Sequence, residues 1–288
     1  MKLFDKFEVI KYKNINMKHI ILILALILMT ALSIQAQDTT KTINFRNIPN
    51  NAFKAGEKLD FDINYGFINA GTATMYVEPN TSNLNGRDCY LVKLNITSSP
   101  SFEFIYKFNE LYKSYLDKQG LFPWMTEQDK TEGKDYKYMK TEFVQDNQTA
   151  IITERNANSE EKKKEVKIDL YTLDEIGAFY YARTLDMSGR QPGEVTILSY
   201  LAKDEVKELK IKYLGKENVE TAAGNFRCVI LQPMLKESSL ASKVDDVTVW
   251  ITDDENKIPV KIQMKIIIGA VKIELKSYQG TGNIKSKI

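Results

Sequence analysis

The chain has 288 residues, with 40 basic against 38 acidic side chains, two cysteines and a single histidine. Near-neutral charge with the two signs interspersed gives no electrostatic reason for binding nucleic acid or an anionic membrane surface. His19 lies in the leader-like first 36 residues, so a chain that loses them carries out no imidazole chemistry.

Met17-Lys18-His19 leads into the apolar run Ile20 to Met29, followed by Thr30-Ala31-Leu32-Ser33-Ile34-Gln35-Ala36 and polar Gln37-Asp38-Thr39-Thr40. This is the three-part layout of a secretory signal peptide over residues 1–36, with Ala36 the last residue removed. The apolar run is short for a membrane span, and a retained anchor is the alternative. Residues 1–16 carry mixed charge, which marks Met17 as an alternative start. No cysteine follows the cleavage region, which closes the lipoprotein route of acylating a new N-terminal Cys. Cleavage removes five lysines against Asp5 and Glu8 and turns a net charge of +2 into −1. A periplasmic or secreted protein is expected, with a flexible segment over 37–50, a folded body over 51–280 and a tail over 281–288.

Alternation with period two dominates the body. In Leu59-Asp60-Phe61-Asp62-Ile63-Asn64 the apolar side chains share one face; Gly66 to Asn69 turns the chain and Thr72 to Val77 runs back. Tyr90 to Ile96 is a third strand, and strand-like runs recur near 111–116, 136–144, 149–154, 194–201, 206–214, 226–232, 246–252, 258–268 and 270–278. Asn85-Gly86, Gln119-Gly120 and Asp253-Asp254-Glu255-Asn256 punctuate them. The stretch 155–165 reads as a polar loop or hairpin tip, with Lys162-Lys163-Lys164 a solvated turn. One helix is expected over 173–184, opened by the capping box Thr172-Leu173-Asp174-Glu175 and a Tyr171–Ile176 staple. It either joins two β-rich halves or plugs a curved sheet.

Chemistry-bearing motifs are scarce. There is no Gly-x-Ser-x-Gly, no phosphate-binding loop, no His-Glu-x-x-His and no Cys-x-x-Cys. Asp60-x-Asp62-x-Asn64 resembles the start of a calcium loop, but its glycine, Gly66, comes one place late and Gly71 stands where the bidentate Glu belongs. On a strand these three form a wet face. Cys89 and Cys228 sit in apolar runs; two buried thiols are the plainer expectation and a disulfide the alternative, since export permits one. No metal and no cofactor is expected.

Aromatic residues cluster instead. Phe102, Phe104, Tyr106 and Phe108 alternate as if on one strand face, and Tyr112, Tyr115, Phe122 and Trp124 follow. Such residues line a pocket for a lipid tail or a sugar, or form the core face of a sheet. Ile266-Ile267-Ile268-Gly269-Ala270-Val271 suggests a strand buried on both faces or lining a cavity.

The opening Phe53-Lys-Ala-Gly56-Glu57-Lys-Leu59-x-Phe61-x-Ile63-x-Tyr65-Gly66-x-Ile68-x-Ala70-Gly71 resembles the start of the DUF3108 family, exported bacterial proteins of unknown function. Ser114-Tyr-Leu-Asp117 with Leu121-Phe-Pro123, Tyr180-Tyr-Ala-Arg183, and Gly224-Asn-Phe226-x-Cys228 with Pro233 agree. So do Val249-Trp250-Ile-Thr-Asp253-Asp254-x-Asn256-x-Ile258-Pro259-Val260-x-Ile262 and Gly269. The resemblance spans about residues 50 to 280 and implies a periplasmic or surface-associated antiparallel β protein of a Gram-negative bacterium, with no catalytic residues to carry over. The segment Trp250…Asp253…Pro259 is also similar to the last strands of periplasmic lipoprotein carriers, whose half-barrels hold acyl chains, an analogy of fold alone.

The expected fold is mainly β: an antiparallel, strongly curved sheet or half-barrel with one main helix. The expected function is non-enzymatic binding or carriage of an apolar or amphipathic envelope ligand, such as a lipid. Phe102, Phe104, Tyr106, Phe108, Tyr112, Trp124, Ile266 and Ile268 are its candidate contacts. One alternative is an assembly protein pairing with an envelope protein partner through a strand edge. The other is a histidine-free carbohydrate-active enzyme using two carboxylates. The first predicts a deep apolar cavity, the second an unprotected edge, the third two close carboxylates in a cleft.

Overall fold

Short-range alternation of apolar and polar side chains makes most of this chain strand. The computed structural model describes residues 43–157, 159–234, 244–266 and 269–288. Residues 44–288 make one compact unit. The expected signal peptide, residues 1–36, lies outside the described residues. The first strands are β1 (Lys58–Tyr65), β2 (Ile68–Val77), β3 (Ser82–Leu84), β4 (Arg87–Ser98) and β5 (Phe108–Asp117). Next come β6 (Pro123–Glu132), β7 (Asp135–Val144), β8 (Thr149–Asn156) and β9 (Lys162–Lys167). Helix α1 (Glu175–Ala182) leads to β10 (Val195–Ala202), β11 (Glu205–Thr221) and β12 (Gly224–Met234). The chain then forms β13 (Val244–Thr252), β14 (Pro259–Ile266) and β15 (Ala270–Gln279).

All of them join one antiparallel sheet in the order β10-β11-β12-β13-β14-β15-β1-β2-β4-β5-β6-β7-β8-β9, with β3 paired to β4 off that path. The first and last strands are therefore neighbours in the middle, where Phe61 pairs with Leu275 and Ile63 with Ile273. This sews the two β-rich stretches into one sheet. Helix α1 carries the chain from one edge, β9, to the other, β10. Connections alternate between two ends of the strands. The turns at 66–67, 133–134 and 203–204 and the loop 99–107 share one end, here the Gly66 end. The turns at 145–148, 222–223 and 253–258 share the other, the Asp254 end.

The sheet curls around α1. Leu173, just before the helix, is held by β10: its amide donates to the Ser199 carbonyl (3.0 Å), and its own carbonyl accepts from the Leu201 amide (2.8 Å). The next residue, Asp174, accepts from Ser114 Oγ (3.0 Å) and Tyr112 OH (3.3 Å) on β5. Strands β10 and β5 are far apart in the strand order, so only a strongly curved sheet brings both to one segment. Leu59, Phe61, Ile63, Met75 and Val92 fill the concavity with Ile176 and Tyr180 of α1. Tyr200, Ile211, Leu231, Val249 and Ile251 pack with Ala178 on its other side. At the edges Leu201 packs with Phe143, Ile152 and Ile168, and Lys164 pairs with Asp204. Strands β9 and β10 are not hydrogen-bonded to each other, which leaves a half-barrel. One glycine is dictated by this packing: a Cβ on Gly71 would collide with the Thr97 carbonyl oxygen of β4.

Several local expectations change. Helix α1 spans 175–182, because β10 claims Leu173. The Thr172–Glu175 box does not form: Asp174 is the N-cap without a side-chain capping bond, and Thr172 Oγ1 accepts from the Asp169 amide (3.0 Å). Lys162-Lys163-Lys164 opens strand β9 where a turn was expected, since an edge strand tolerates charge on both faces. Residues 44–50 carry no strand, yet they are pinned: Arg46 donates to the Gly120 and Leu121 carbonyls (2.7 and 3.1 Å), and Phe45 packs on Phe122. The tail is tied as well, with the Ser286 amide donating to Asp254 (3.0 Å) and the Ile288 amide to the Asn225 carbonyl (2.9 Å).

Candidate functional site

The structure does not gather the six aromatic candidates, Phe102, Phe104, Tyr106, Phe108, Tyr112 and Trp124, into one site. Phe102 to Tyr106 form turns, not a strand, with the Glu103 amide donating to Ser99 and the Tyr106 amide to Phe102. Phe104 is 84% exposed, and Ile105 and Tyr106 are exposed too, whereas Phe102 is half-buried against the core. Phe108 begins β5 and is half-buried. Tyr112 is core, and Trp124 belongs to a separate cluster with Cys89 and Phe122. Ile268 lies outside the described residues, as does the side chain of Ile266. The alternating aromatics fail as a strand because β4 ends at Ser98, and this segment is the connection to β5.

An apolar cavity lies elsewhere, beneath α1. The helix sequence Glu-Ile-Gly-Ala-Phe-Tyr-Tyr-Ala gives it two unlike faces. Ile176 and Tyr180, four apart, pack toward the core around β1. Ala178 and Ala182, also four apart, line the side toward β10–β13, and their methyl groups are too short to fill the space. A cavity of about 250 Å³ remains. Phe179 closes it from the helix, Leu209 and Ile211 from β11, Leu231 and Pro233 from β12, and Val249 and Ile251 from β13. Period-two alternation places these strand residues on one face.

Its polar side chains are few. Lys203, in the β10–β11 turn, lines it at the Gly66 end together with Glu175 at the start of α1; Arg183, just past the helix, lines it too. Glu175 keeps contact with solvent, yet partial desolvation by the protein packed around it pushes its carboxyl above its ordinary pKa; neighbouring Asp174 and Glu110 add to this, while Lys130 and Lys203 oppose it. Asp174 is also raised, mainly by burial, with its hydrogen bonds from Ser114 and Tyr112 acting the other way. Arg183 brings no spare charge. Its guanidinium grips Glu57 through two bonds (2.6 and 2.8 Å) and donates to the Ala52 and Asn256 carbonyls (3.0 and 2.9 Å). The cavity can therefore take hydrocarbon along its walls and a polar group at Glu175 and Lys203.

A second hollow of about 600 Å³ is polar and more open, between residues 47–50, Arg87 and Lys118. Arg87 is already held by Asp117 (2.5 and 2.9 Å). Cys89 and Cys228 are free and buried, and burial raises both thiols to about 12. Among the described residues no three His, Cys, Asp or Glu side chains come together as metal ligands.

The cavity residues were not legible as a site, because Ile211, Leu231 and Val249 look like any core strand. The one signal was the Ala178/Ala182 pair, small residues four apart on a helix that must pack on a sheet.

The protein-family model DUF3108, described as a protein of unknown function, matches residues 60–276. The chain belongs to the DUF3108 family. No match is found among curated proteins. Among solved structures, this DUF3108 protein is similar to a beta-barrel-like protein of the DUF1849 family from Brucella abortus. That likeness has a TM-score of 0.53 at 7% identity, covering 79% of this chain and 98% of the other. A candidate exported protein of Bacteroides fragilis with a YmcC-like fold overlaps at TM-score 0.32 and 9% identity, over 82% and 99% of the two chains. A candidate lipoprotein of Parabacteroides distasonis overlaps at 0.29 and 8%, over 82% and 100%. The Brucella likeness is one of fold alone, and the DUF3108 chain shares with it a curved antiparallel sheet.

Proposed function

We propose that this protein acts outside the cytoplasm as a non-enzymatic binder or carrier of an amphipathic envelope molecule, seated in the cavity between α1 and β10–β13. The observation that carries this is an apolar cavity with its polar side chains confined to a few positions, the distribution expected of a site for a chain with a polar head. Its volume of about 250 Å³ exceeds the ~150 Å³ that takes a benzene ring elsewhere and falls below the ~300 Å³ at which drug-sized sites begin. One slender hydrocarbon chain suits it better than a fused ring. The leader-like N-terminus and the family resemblance support the location.

Edge pairing with a protein partner is the weaker reading. Strand β9 is six residues long and carries four lysines, and β10 is partly covered by Leu173; both are devices that discourage strand addition.

Native mass spectrometry of the protein taken from its own envelope is the test, followed by displacement of a fluorescent fatty acid. Co-purified lipid mass and a probe lost from Ala182→Leu, which fills the cavity, are expected. A clean apoprotein that takes no probe would sink the proposal.

A further inference from the structure

Two turns at the Gly66 end carry large apolar side chains into solvent. In the β1–β2 turn Phe67 is fully exposed, and Ile68, the first residue of β2, is exposed beside it. In the β4–β5 loop Phe104, Ile105 and Tyr106 are exposed. The turns are tied together: the Ser99 amide donates to the Ala70 carbonyl (2.9 Å) and Ser99 Oγ to the Asn69 carbonyl (2.6 Å). The loop is braced from its other side, where the Gly133 amide donates to the Lys107 carbonyl (2.7 Å). Five large apolar side chains on two mutually fixed tips are a patch, not scattered exposure. We propose that these tips dock the protein on a lipid bilayer by inserting Phe67 and Phe104 into the headgroup layer.

Three features favour a bilayer over a protein face. All but Ile68, which opens β2, stand on connections beyond the strand ends, so they can enter a soft interface without a complementary surface. Phe and Ile with an adjacent Tyr is the side-chain chemistry of the membrane interface, the Tyr106 hydroxyl having a polar neighbour in Glu132 of β6. Glu103 and Lys107 pair with each other (3.4 Å), so the loop brings no net charge to be desolvated. The tips also share their end of the sheet with Lys203, which lines the apolar cavity, so docking would turn that end toward the lipid.

The test uses the chain as recovered after export and vesicles of phosphatidylethanolamine and phosphatidylglycerol. Cosedimentation is expected, weakened about tenfold or more in Phe67→Ser/Phe104→Ser. Phe104→Trp should blue-shift on vesicles and be quenched by lipids labelled in the upper acyl chain. Wild-type protein that stays in the supernatant, binding indifferent to the double substitution, or an unquenched Trp at 104 would each overturn the proposal. So would a dimer in solution that the double substitution dissociates, since the tips would then be a self-association surface. Probe affinity of the cavity, measured on the same variants, is expected to stay unchanged. A failure of that site alone leaves vesicle docking standing.

Discussion

Arg183 is the largest fully buried side chain among the described residues, and Glu57 opposite it is buried as deeply. Burial opposes its charge, but Glu57 outweighs burial and holds the guanidinium ionised. Arg183→Met alone or Glu57→Gln alone should cost about 3–5 kcal/mol by leaving an unpaired buried charge, and Arg183→Met/Glu57→Leu should recover much of it. Urea unfolding of the four proteins closes that cycle. Two aspartates should give opposite pH slopes. Burial disfavours ionised Asp117, but bonds from Arg87, the Gly120 amide and the Trp124 indole outweigh it and lower its pKa. Its contribution is complete above the unfolded value of about 4 and is lost as pH falls through the lower folded value. Asp174 is raised, so the folded form holds its proton longer and stability falls as pH climbs from about 4 through the folded value. Asp117→Asn should flatten the acid limb of a stability–pH curve, and Asp174→Asn should remove the decline above it. With thiols raised to about 12, Cys89 and Cys228 should resist a maleimide in the native state and react only on unfolding.

At the scale of elements, the exposed loop and the core separate cleanly. Phe104→Ala and Tyr106→Ala should move stability by no more than about 0.5 kcal/mol, whereas Trp124→Ala should cost about 3–5 kcal/mol in the same denaturation assay. Sequence reading found most strands because apolar alternation survives wherever one face meets the core, as in Leu59-x-Phe61-x-Ile63. It misread Phe102 to Phe108 because alternation does not say whether a neighbouring strand is present to pair with. It missed β6 because the residues following Trp124 alternate polar with polar: Thr126, Gln128 and Lys130 share a face with it, and Gln128 bonds to Glu110 of β5 (2.6 Å). It missed β9 because lysines read as solvated whether or not their backbone is paired. The helix start failed for a related reason. A capping box is a local signal, and here β10 outcompetes it for Leu173. Many motif residues behind the family resemblance proved structural: Glu57 with Arg183, Asp117 with Trp124, Asp254 and Asn256 with the tail.

At the scale of the whole molecule, the halves before and after α1 are not separate domains. Heat or urea should give one transition rather than two, followed by both circular dichroism and tryptophan fluorescence. A fragment ending near residue 184 lacks β15, leaving β1 paired on the β2 side only, and should not fold alone. The pairing of β1 with β15 also concerns time. Synthesis runs from the N-terminus at about 5–20 residues per second, so β15 emerges roughly 10–40 s after β1. Until then the middle of the finished sheet is an open margin, with Leu59, Phe61 and Ile63 in line and their backbone groups on that side unmatched. A strand at the middle of the native sheet is thus one the growing chain must leave unguarded for most of its synthesis.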